Sequence, residues 1–148
     1  MQLTRGCEYA IRALTYLAMR EEEHPILLAD IAKGIGAPPN YLSNIFQILT
    51  RLDLVRSHRG AKRGYSLAQP ATDINLRQIV EGIEGPISIS SCNMDAGWCE
   101  LDGGCSLFGI WDEIQETITS KLEATTLAKL SGACFLEHVA TAIFGVAG

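Results

Sequence analysis

The sequence predicts a mainly α-helical fold with one small β-hairpin, and three observations support that prediction. Apolar residues recur at helical spacing through the first twenty positions, and again in two short segments joined by glycines. Two four-residue segments that alternate like strands then flank a glycine-bounded turn. With 47% hydrophobic and 20% charged residues, the 148-residue chain has the composition of a globular protein with a proper core.

The first helix is predicted from about Leu3 to Arg20. Its apolar residues recur at steps of three and four and form one stripe that would face a core: Leu3, Cys7, Ala10, Ile11, Leu14, Leu17 and Ala18. A run of three glutamates at 21–23 and then His24 and Pro25 end the helix, because the residue before a proline disfavours the helical conformation.

Two shorter helices joined by a glycine turn are predicted next. The first covers about Leu28 to Lys33, and Gly34 and Gly36 supply the turn. The second begins near residues 38–40, where proline is tolerated because its missing N–H would have no helical acceptor. Its inner face would carry Leu42, Ile45, Phe46, Leu49 and Leu52. Two short helices joined in this way form a helix-turn-helix.

A β-hairpin is predicted directly after this helix pair. Residues 55–58 would pair with residues 64–67, and the turn between them carries the cations Arg59, Lys62 and Arg63. A helix-turn-helix followed by a basic hairpin is a winged helix. The fold class we predict is therefore mainly α with a small β-hairpin wing, a winged helix-turn-helix domain with a long dimerisation helix further along the chain.

The winged-helix geometry assigns two sets of side chains to double-stranded operator DNA. The outer face of the second short helix would meet base edges in the major groove: Asn40, Tyr41, Ser43, Asn44 and Gln47. The hairpin cations would meet phosphates or enter the minor groove: Arg56, Arg59, Lys62 and Arg63. A basic hairpin alone is more often a solvated turn, and its place after the helix pair is what favours DNA.

The charge distribution supports a basic N-terminal working surface. The net charge of the whole chain is −5, which by itself argues against nucleic acid. Residues 1–66, however, carry a net charge of +3, whereas residues 67–148 carry −8. Such an asymmetry indicates that the two halves of the chain have different roles.

The second half of the chain divides into four predicted parts. The winged domain closes at about residue 82 with a helix that a capping box opens at Asn75 and Gln78. A cysteine loop at 83–106 and a long amphipathic helix at 107–130 follow. The apolar stripe of that helix favours dimerisation: Leu107, Ile110, Trp111, Ile114, Ile118 and Leu122. The tail at 131–148 has no assigned role.

Three cysteines within fourteen residues, Cys92, Cys99 and Cys105, stand in a glycine-rich and acidic segment that has no helical or strand period. A loop that gathers three soft thiolates is typical of zinc or iron–sulfur sites, and one ligand is missing from the usual four. Five cysteines in a chain without a secretory signal favour metal or redox chemistry over a disulfide scaffold. From the residues alone zinc, an iron–sulfur cluster and a thiol–disulfide switch all stay open.

These features together resemble the bacterial IscR/NsrR/RirA/CymR family of winged-helix transcription regulators. The resemblance extends from Met1 to about Leu130 and rests on the order and spacing of short motifs, among them 28–32, 54–55, 59–60, 64–65 and the cysteine triplet. It implies a homodimer with crossed long helices. In its three-cysteine branch it implies an iron–sulfur cluster, 4Fe–4S or 2Fe–2S, that controls DNA binding in response to nitric oxide, iron or cluster status, or redox state.

The resemblance also bears on the fourth ligand. Some relatives place a histidine shortly after the third cysteine, where this chain has Leu107 and Phe108. The nitric-oxide-sensing relatives use an acidic residue of the first helix, and Glu8 stands at the matching position, so that Glu8 of one subunit would reach the cluster of the other.

Other side chains offer competing accounts of that ligand. Glu8 and Arg12 have the spacing of an ordinary surface ion pair, which would explain Glu8 without a metal. Cys7 lies on the apolar stripe and is expected in the core. Cys134 and His138 lie four positions apart in the unassigned tail, which is the spacing of neighbours on a helix, and would supply at most half of a metal site.

The sequence indicates a regulator and not an enzyme. The three histidines, at positions 24, 58 and 138, lie far apart and form no recognisable triad, and the chain has no phosphate-binding or nicotinamide fingerprint. We expect no small-molecule substrate. The N-terminus lacks a signal-peptide core and the uncharged final ten residues are too few to span a bilayer, so we expect a cytoplasmic protein without membrane association.

Overall fold

The structure is a computed structural model, and it describes residues 2–20, 25–91 and 105–132. Within them the chain forms six helices and one two-stranded sheet. The elements in chain order are α1 (Arg5–Ala18), α2 (Leu28–Ile35), α3 (Pro39–Arg51), β1 (Val55–His58), β2 (Gly64–Leu67), α4 (Leu76–Glu84), α5 (Ser106–Ala124) and α6 (Leu127–Gly132). The predicted mainly α fold with a β-hairpin is confirmed.

The core lies where α1 meets α2, α3 and α6. The buried residues of α1 are mostly those of the predicted apolar stripe. The largest fully buried side chains of the core come from several elements: Leu14, Ile31, Leu42, Phe46, Leu49, Ile74, Ile79 and Leu127. Burying a side chain of this size stabilises the fold by about 1.5–3 kcal/mol. The amphipathic spacing read from the sequence therefore places these helices around one core.

The helix-turn-helix turn depends on Gly36. This residue has φ 68°, and its N–H donates to the carbonyls of Ala32 and Lys33 at the end of α2. Such a left-handed conformation is strained for residues with a Cβ, so glycine stands where the chain must reverse. Pro39 then occupies the first turn of α3, as predicted.

The two strands of the wing pair antiparallel with Val55 opposite Leu67 and His58 opposite Gly64. The structure also contains a backbone contact that the local sequence pattern does not predict. Ile26 pairs with Tyr65 through two backbone bonds, N–H to carbonyl, of 3.0 and 2.8 Å. The wing is thus tied to the segment before α2, and a Cβ on Gly64 would lie 2.5 Å from the carbonyl oxygen of Ile26.

Helix α4 begins with the predicted capping box. The Asn75 side chain accepts from the Gln78 backbone N–H at 3.0 Å, and the Gln78 side chain accepts from the Asn75 N–H at 2.9 Å. The helix ends at Glu84, two residues beyond the predicted close of the winged domain at about residue 82. Its inner residue Val80 joins Cys7 and Ile87 in a second buried cluster.

The prediction of a single helix at 107–130 is wrong about the length of that helix. Helix α5 ends at Ala124 and Thr125 is extended. The backbone there pairs with the start of α4, since Leu76 N–H donates to the Thr125 carbonyl and Leu127 N–H to the Ile74 carbonyl, each at 2.9 Å. These bonds, together with the burial of Leu127, outweigh the local tendency to continue the helix.

Candidate nucleic-acid interface and cysteine segment

The outer face of α3 carries polar side chains that leave their amides available. Asn40, Asn44 and Gln47 are exposed, and Ser43 is half-buried. Arg51 lies on the same face, because positions 40, 44, 47 and 51 follow helical steps of four, three and four. Arg51 is absent from the predicted DNA-facing residues, although its helical spacing from Asn40, Asn44 and Gln47 indicates that it belongs to this face.

Tyr41 is directed towards α1 as well as towards solvent. It is 43% exposed, and its ring meets the ring of Tyr9 edge to face with centroids 5.9 Å apart. A Cβ on Gly6 would lie 3.1 Å from the Tyr41 hydroxyl oxygen. The start of α3 is therefore in close contact with the first turn of α1.

The wing presents its cations to solvent. Arg56 on β1 and Arg59, Lys62 and Arg63 around the turn are all exposed. In the part of the chain that the structure describes, none of the four forms an ion pair. At the base of the turn His58 Nε2 and Ser66 Oγ lie 2.7 Å apart and share a hydrogen bond across the two strands. A phosphate backbone would meet a hairpin of unneutralised positive charge.

Both ends of the cysteine segment contact α5. On one side Ile87 is buried in the second cluster and the Ile89 N–H donates to Gln115 Oε1 at 3.2 Å. On the other side Cys105, half-buried, is the N-cap residue of α5. Cys105 and Gln115 are ten positions apart, which corresponds to a rise of about 15 Å along the helix. Cys92 and Cys99 lie outside the described residues, between these two attachments.

Glu8 is exposed on the first turn of α1. It forms no ion pair within the described residues, so the surface pair with Arg12 is not present there. The Arg12 guanidinium instead lies 5.9 Å from the centroid of the Tyr9 ring. The Glu8 carboxylate therefore has no cationic partner among the described residues.

Cys7 is a core residue, as expected. Its side chain is fully buried, and burial, together with the negative charges of Glu84 and Glu8, raises the pKa of the thiol to about 11. A neutral buried thiol of this kind is a poor metal ligand. Cys134 and His138 lie outside the described residues. Across residues 2–20, 25–91 and 105–132, no three His, Cys, Asp or Glu side chains come together as a metal site.

The N-terminal half of α5 exposes large apolar side chains. Leu107 is 50% exposed and Ile110 is 53% exposed, and Phe108 and Ile114 are similarly open. The C-terminal half differs, because Ile118 and Leu122 pack against the second buried cluster. A contiguous apolar face of this kind on a small domain marks an interaction surface.

These features define a protein of the winged-helix class, with a polar exposed face on α3, a cationic wing and an appended helix that has an exposed apolar face. Comparison with known proteins gives the family. Residues 3–133 match the family model described as Rrf2, iron-dependent transcriptional regulator, and the chain belongs to the Rrf2 family of transcriptional regulators. That membership confirms the resemblance, and it confirms that the protein is a regulator and not an enzyme.

Two curated relatives illustrate the similarity. A candidate HTH-type transcriptional regulator of Mycobacterium tuberculosis (strain H37Rv) is 36% identical over 141 residues, which are 95% of this chain and 87% of that protein. The HTH-type transcriptional regulator IscR of Klebsiella pneumoniae (strain 342) is 30% identical over 130 residues, covering 88% of this chain and 79% of that protein.

Two solved structures share the fold. CymR of B. subtilis, described as its global cysteine regulator, superposes with a TM-score of 0.78 at 26% identity and covers 89% of this chain and 97% of its own. IscR of T. potens gives a TM-score of 0.71 at 26% identity, with coverages of 88% and 85%.

Among the helices that the structure describes, none is both long enough and apolar enough to cross a membrane.

Proposed function

We propose that the protein is a cytoplasmic homodimeric transcription regulator whose affinity for operator DNA is controlled by an iron–sulfur cluster at Cys92, Cys99 and Cys105. The observation that supports this proposal most directly is the combination, in one Rrf2-family chain, of the cysteine triplet with two separate exposed surfaces. One of these surfaces is polar and cationic and fits DNA, and the other is apolar and fits a second copy.

The DNA-binding surface uses α3 and the wing for different tasks. The amides of Asn40, Asn44 and Gln47, with Ser43 and Tyr41, read base edges in the major groove, because Asn and Gln offer a donor and an acceptor together. Arg56, Arg59, Lys62 and Arg63 neutralise phosphates or enter the minor groove, which supplies affinity and fixes the register on the duplex.

The exposed apolar half of α5 supports homodimerisation. Its apolar side chains would be covered by the same face of a second copy, and a twofold interface of this kind is self-complementary. A dimer also presents two α3 helices to two half-sites about one helical turn apart, as operator recognition by helix-turn-helix proteins requires.

The residues of the cysteine segment fit an iron–sulfur cluster by the chemistry of their donors. Three thiolates are soft ligands for iron, and both attachments of the segment lie on α5, so one rigid helix supports the site. The exposed carboxylate of Glu8, which has no ion-pair partner among the described residues, is available as fourth ligand from the second subunit. When bound, the cluster would supply an iron whose oxygen ligand is labile. Nitric oxide or oxygen would react at that iron.

Control of DNA affinity is a shift between two dimer arrangements. With a cluster bound, the cysteine segment, and Glu8 with it, would adopt one fixed conformation. Because the segment is attached to α5, and α5 packs on α1 and α4 through the second buried cluster, that conformation changes the relative setting of the two α3 helices. Such coupling typically amounts to about 1–3 kcal/mol in operator affinity.

The decisive experiment is anaerobic purification followed by the visible spectrum and by analysis of iron, acid-labile sulfide and zinc. We expect a brown protein that contains iron and sulfide, and loss of both in Cys105→Ser. A colourless protein with stoichiometric zinc would make the site structural. A protein that stays colourless and metal-free after reconstitution would instead favour a thiol–disulfide repressor.

The role of Glu8 is tested by Glu8→Ala, with Arg12→Ala as the matched control one helical turn away. Glu8→Ala should retain iron through the three cysteines but change the spectrum and its response to nitric oxide, whereas Arg12→Ala should leave both close to wild type. An unchanged spectrum and response in Glu8→Ala would remove Glu8 from the ligand set.

A further inference from the structure

The wing carries a hydrogen-bonded pair of side chains that are not among the proposed DNA contacts. His58 Nε2 lies 2.7 Å from Ser66 Oγ, so the imidazole of β1 is joined to the hydroxyl of β2. Ser66 is the register partner of Arg56, and side chains two positions apart on a strand point to the same face. Arg56, His58 and Ser66 therefore lie together on one face of the hairpin.

This face of the hairpin is turned away from the core. The opposite face packs on the helices, because the ring of Tyr65 meets the ring of Phe46 edge to face, with centroids 4.6 Å apart. On the outer face Arg56 is exposed, and His58 and Ser66 are half-buried. His58 Nδ1 has no hydrogen-bond partner among the residues that the structure describes. One ring nitrogen is thus held by the strand pair, and the other is available to a ligand.

The charged groups of the wing are all cations. Residues 54–72 include no acid, and His58 forms no ion pair in the described part of the chain. Behind the wing, α3 packs against β1 and α1 against β2, and Glu8 is the one carboxylate on these two helices. The bridging segment at 25–27 has no charge. A phosphate beside Arg56 would therefore be the anion that stabilises a proton on His58. The other charged groups are Arg59, Lys62 and Arg63 of the wing, Arg5 and Arg12 of α1, and Arg51 of α3.

We propose that His58 and Ser66 complete, with Arg56, a phosphate-binding site on the outer face of the wing, and that His58 takes up a proton from solvent when DNA binds. The proposal rests on the DNA-binding role of the wing, and it is independent of the cluster. In the charged ring both nitrogens donate, Nε2–H to Ser66 Oγ and Nδ1–H to a phosphate oxygen. The Ser66 hydroxyl then accepts from the ring, and its own hydrogen is free to donate to the phosphate.

The consequence is an affinity for DNA that rises as the pH falls. Histidine is the side chain whose charge changes most readily near neutral pH, and a phosphate stabilises its charged form. Because the DNA-bound state holds the proton more tightly than the free state, this part of the affinity is present at acidic pH and is lost as the pH rises. A backbone contact carries no sequence information, so the gain applies to any duplex.

The test uses the full chain, purified anaerobically, and fluorescence anisotropy with two labelled duplexes at fixed ionic strength. One duplex is selected by the wild-type protein from random-sequence DNA, and the other is a scrambled duplex of equal length. Between about pH 8 and about pH 6, wild-type affinity should rise roughly three- to tenfold more than that of His58→Gln, on both duplexes. Glutamine keeps an N–H donor near Ser66 but does not titrate. The other titrating groups are common to both proteins, so their contributions cancel in the comparison.

Three further variants separate the charge of the ring from its position. His58→Lys has a charge that does not titrate in this range, so its affinity should stay at the acidic level of wild type at both pH values. Ser66→Ala should lose affinity at acidic pH because the ring is no longer held, whereas Ser66→Thr keeps the hydroxyl and should retain it. Circular dichroism at both pH values checks that the fraction folded equals that of wild type.

Two results would overturn the proposal. The first is the same pH dependence in His58→Gln and wild type. The second is a pH-dependent gain confined to the selected duplex, which would make His58 a base-reading residue. Arg59→Ala keeps the underlying function separate, because unchanged binding in that variant would remove the wing from the DNA-binding surface. Weakened binding in Arg59→Ala, beside wild-type pH dependence in His58→Gln, would overturn the role of His58 alone.

Discussion

The exposed faces of α3 and α5 differ in chemistry although both helices belong to the same chain. The face of α3 carries amides and a cation, whereas the outer half of α5 carries Leu107, Ile110 and Ile114. Polar side chains are stable in water and can exchange their water for bases. Large apolar side chains are stabilised when another surface covers them. The comparison supports the proposal that α3 binds DNA and that α5 binds a second copy of the chain.

Helix α5 repeats this contrast within its own length. Its inner half packs through Ile118 and Leu122 on the second buried cluster, and the backbone beyond its end is bonded to the start of α4. Its outer half, which begins at Ser106, exposes the large apolar side chains of Leu107, Phe108 and Ile110. An anchored half next to an uncovered half suits a helix that links a dimer interface to a DNA-binding domain.

The largest effect is expected when a charge is placed on the apolar face of α5. Ile110→Glu places a charge in the centre of the proposed dimer interface, so we expect a monomer, and operator affinity lower by about a hundredfold because the two half-sites are no longer bound together. Sedimentation velocity and gel-shift titration measure the two effects. Glu113→Ala, an exposed change on the same helix, should alter neither. A dimer of wild-type strength in Ile110→Glu would show that this face is not the interface.

A smaller effect is expected in the packed region, at Gly34 of α2. A Cβ there would overlap the ring of Tyr16, over which the Arg20 guanidinium lies at 3.9 Å. Gly34→Ala should therefore lower the free energy of unfolding by about 2 kcal/mol, as measured by urea denaturation. Gly109→Ala, on the open part of α5, should instead be neutral or gain up to about 1 kcal/mol. Equal stability in the two variants would contradict the close packing between α1 and α2.

The smallest of these effects concerns a single cation of the wing. Arg59→Ala should weaken operator binding about tenfold, with a slope of log affinity against log salt that is smaller by about one, because one phosphate contact is lost. The cluster spectrum should not change. Lys121→Ala on α5 provides the charge-matched control and should leave the slope unaltered. The same slope in Arg59→Ala and wild type would remove Arg59 from the DNA-binding surface.

The sequence was sufficient for elements whose signals are local. The strands at 55–58 and 64–67 were predicted with their observed bounds, because alternation and bounding glycines are properties of the segments themselves. The capping box of Asn75 and Gln78 was confirmed for the same reason. The outer face of α3 was predicted from its helical period, and the amides of that face are exposed as expected, although Arg51 was overlooked.

The sequence was insufficient where a distant partner decides. Nothing local distinguishes a helix that continues through Thr125 from one that ends before it, since the ending depends on backbone bonds to Ile74 and Leu76. The bridge between Ile26 and Tyr65 depends on how the wing folds back.

The sequence by itself determined the order of helices and strands, the polar side chains of α3, the cations of the wing, and the cysteine triplet. Those features follow from residue type and local period. Only the tertiary structure decided that α5 is covered along one half and open along the other, and that Tyr41 and Leu52 rest on Gly6 and Gly82. Such contacts join residues tens of positions apart, and their free energy depends on packing across the core that no local pattern encodes.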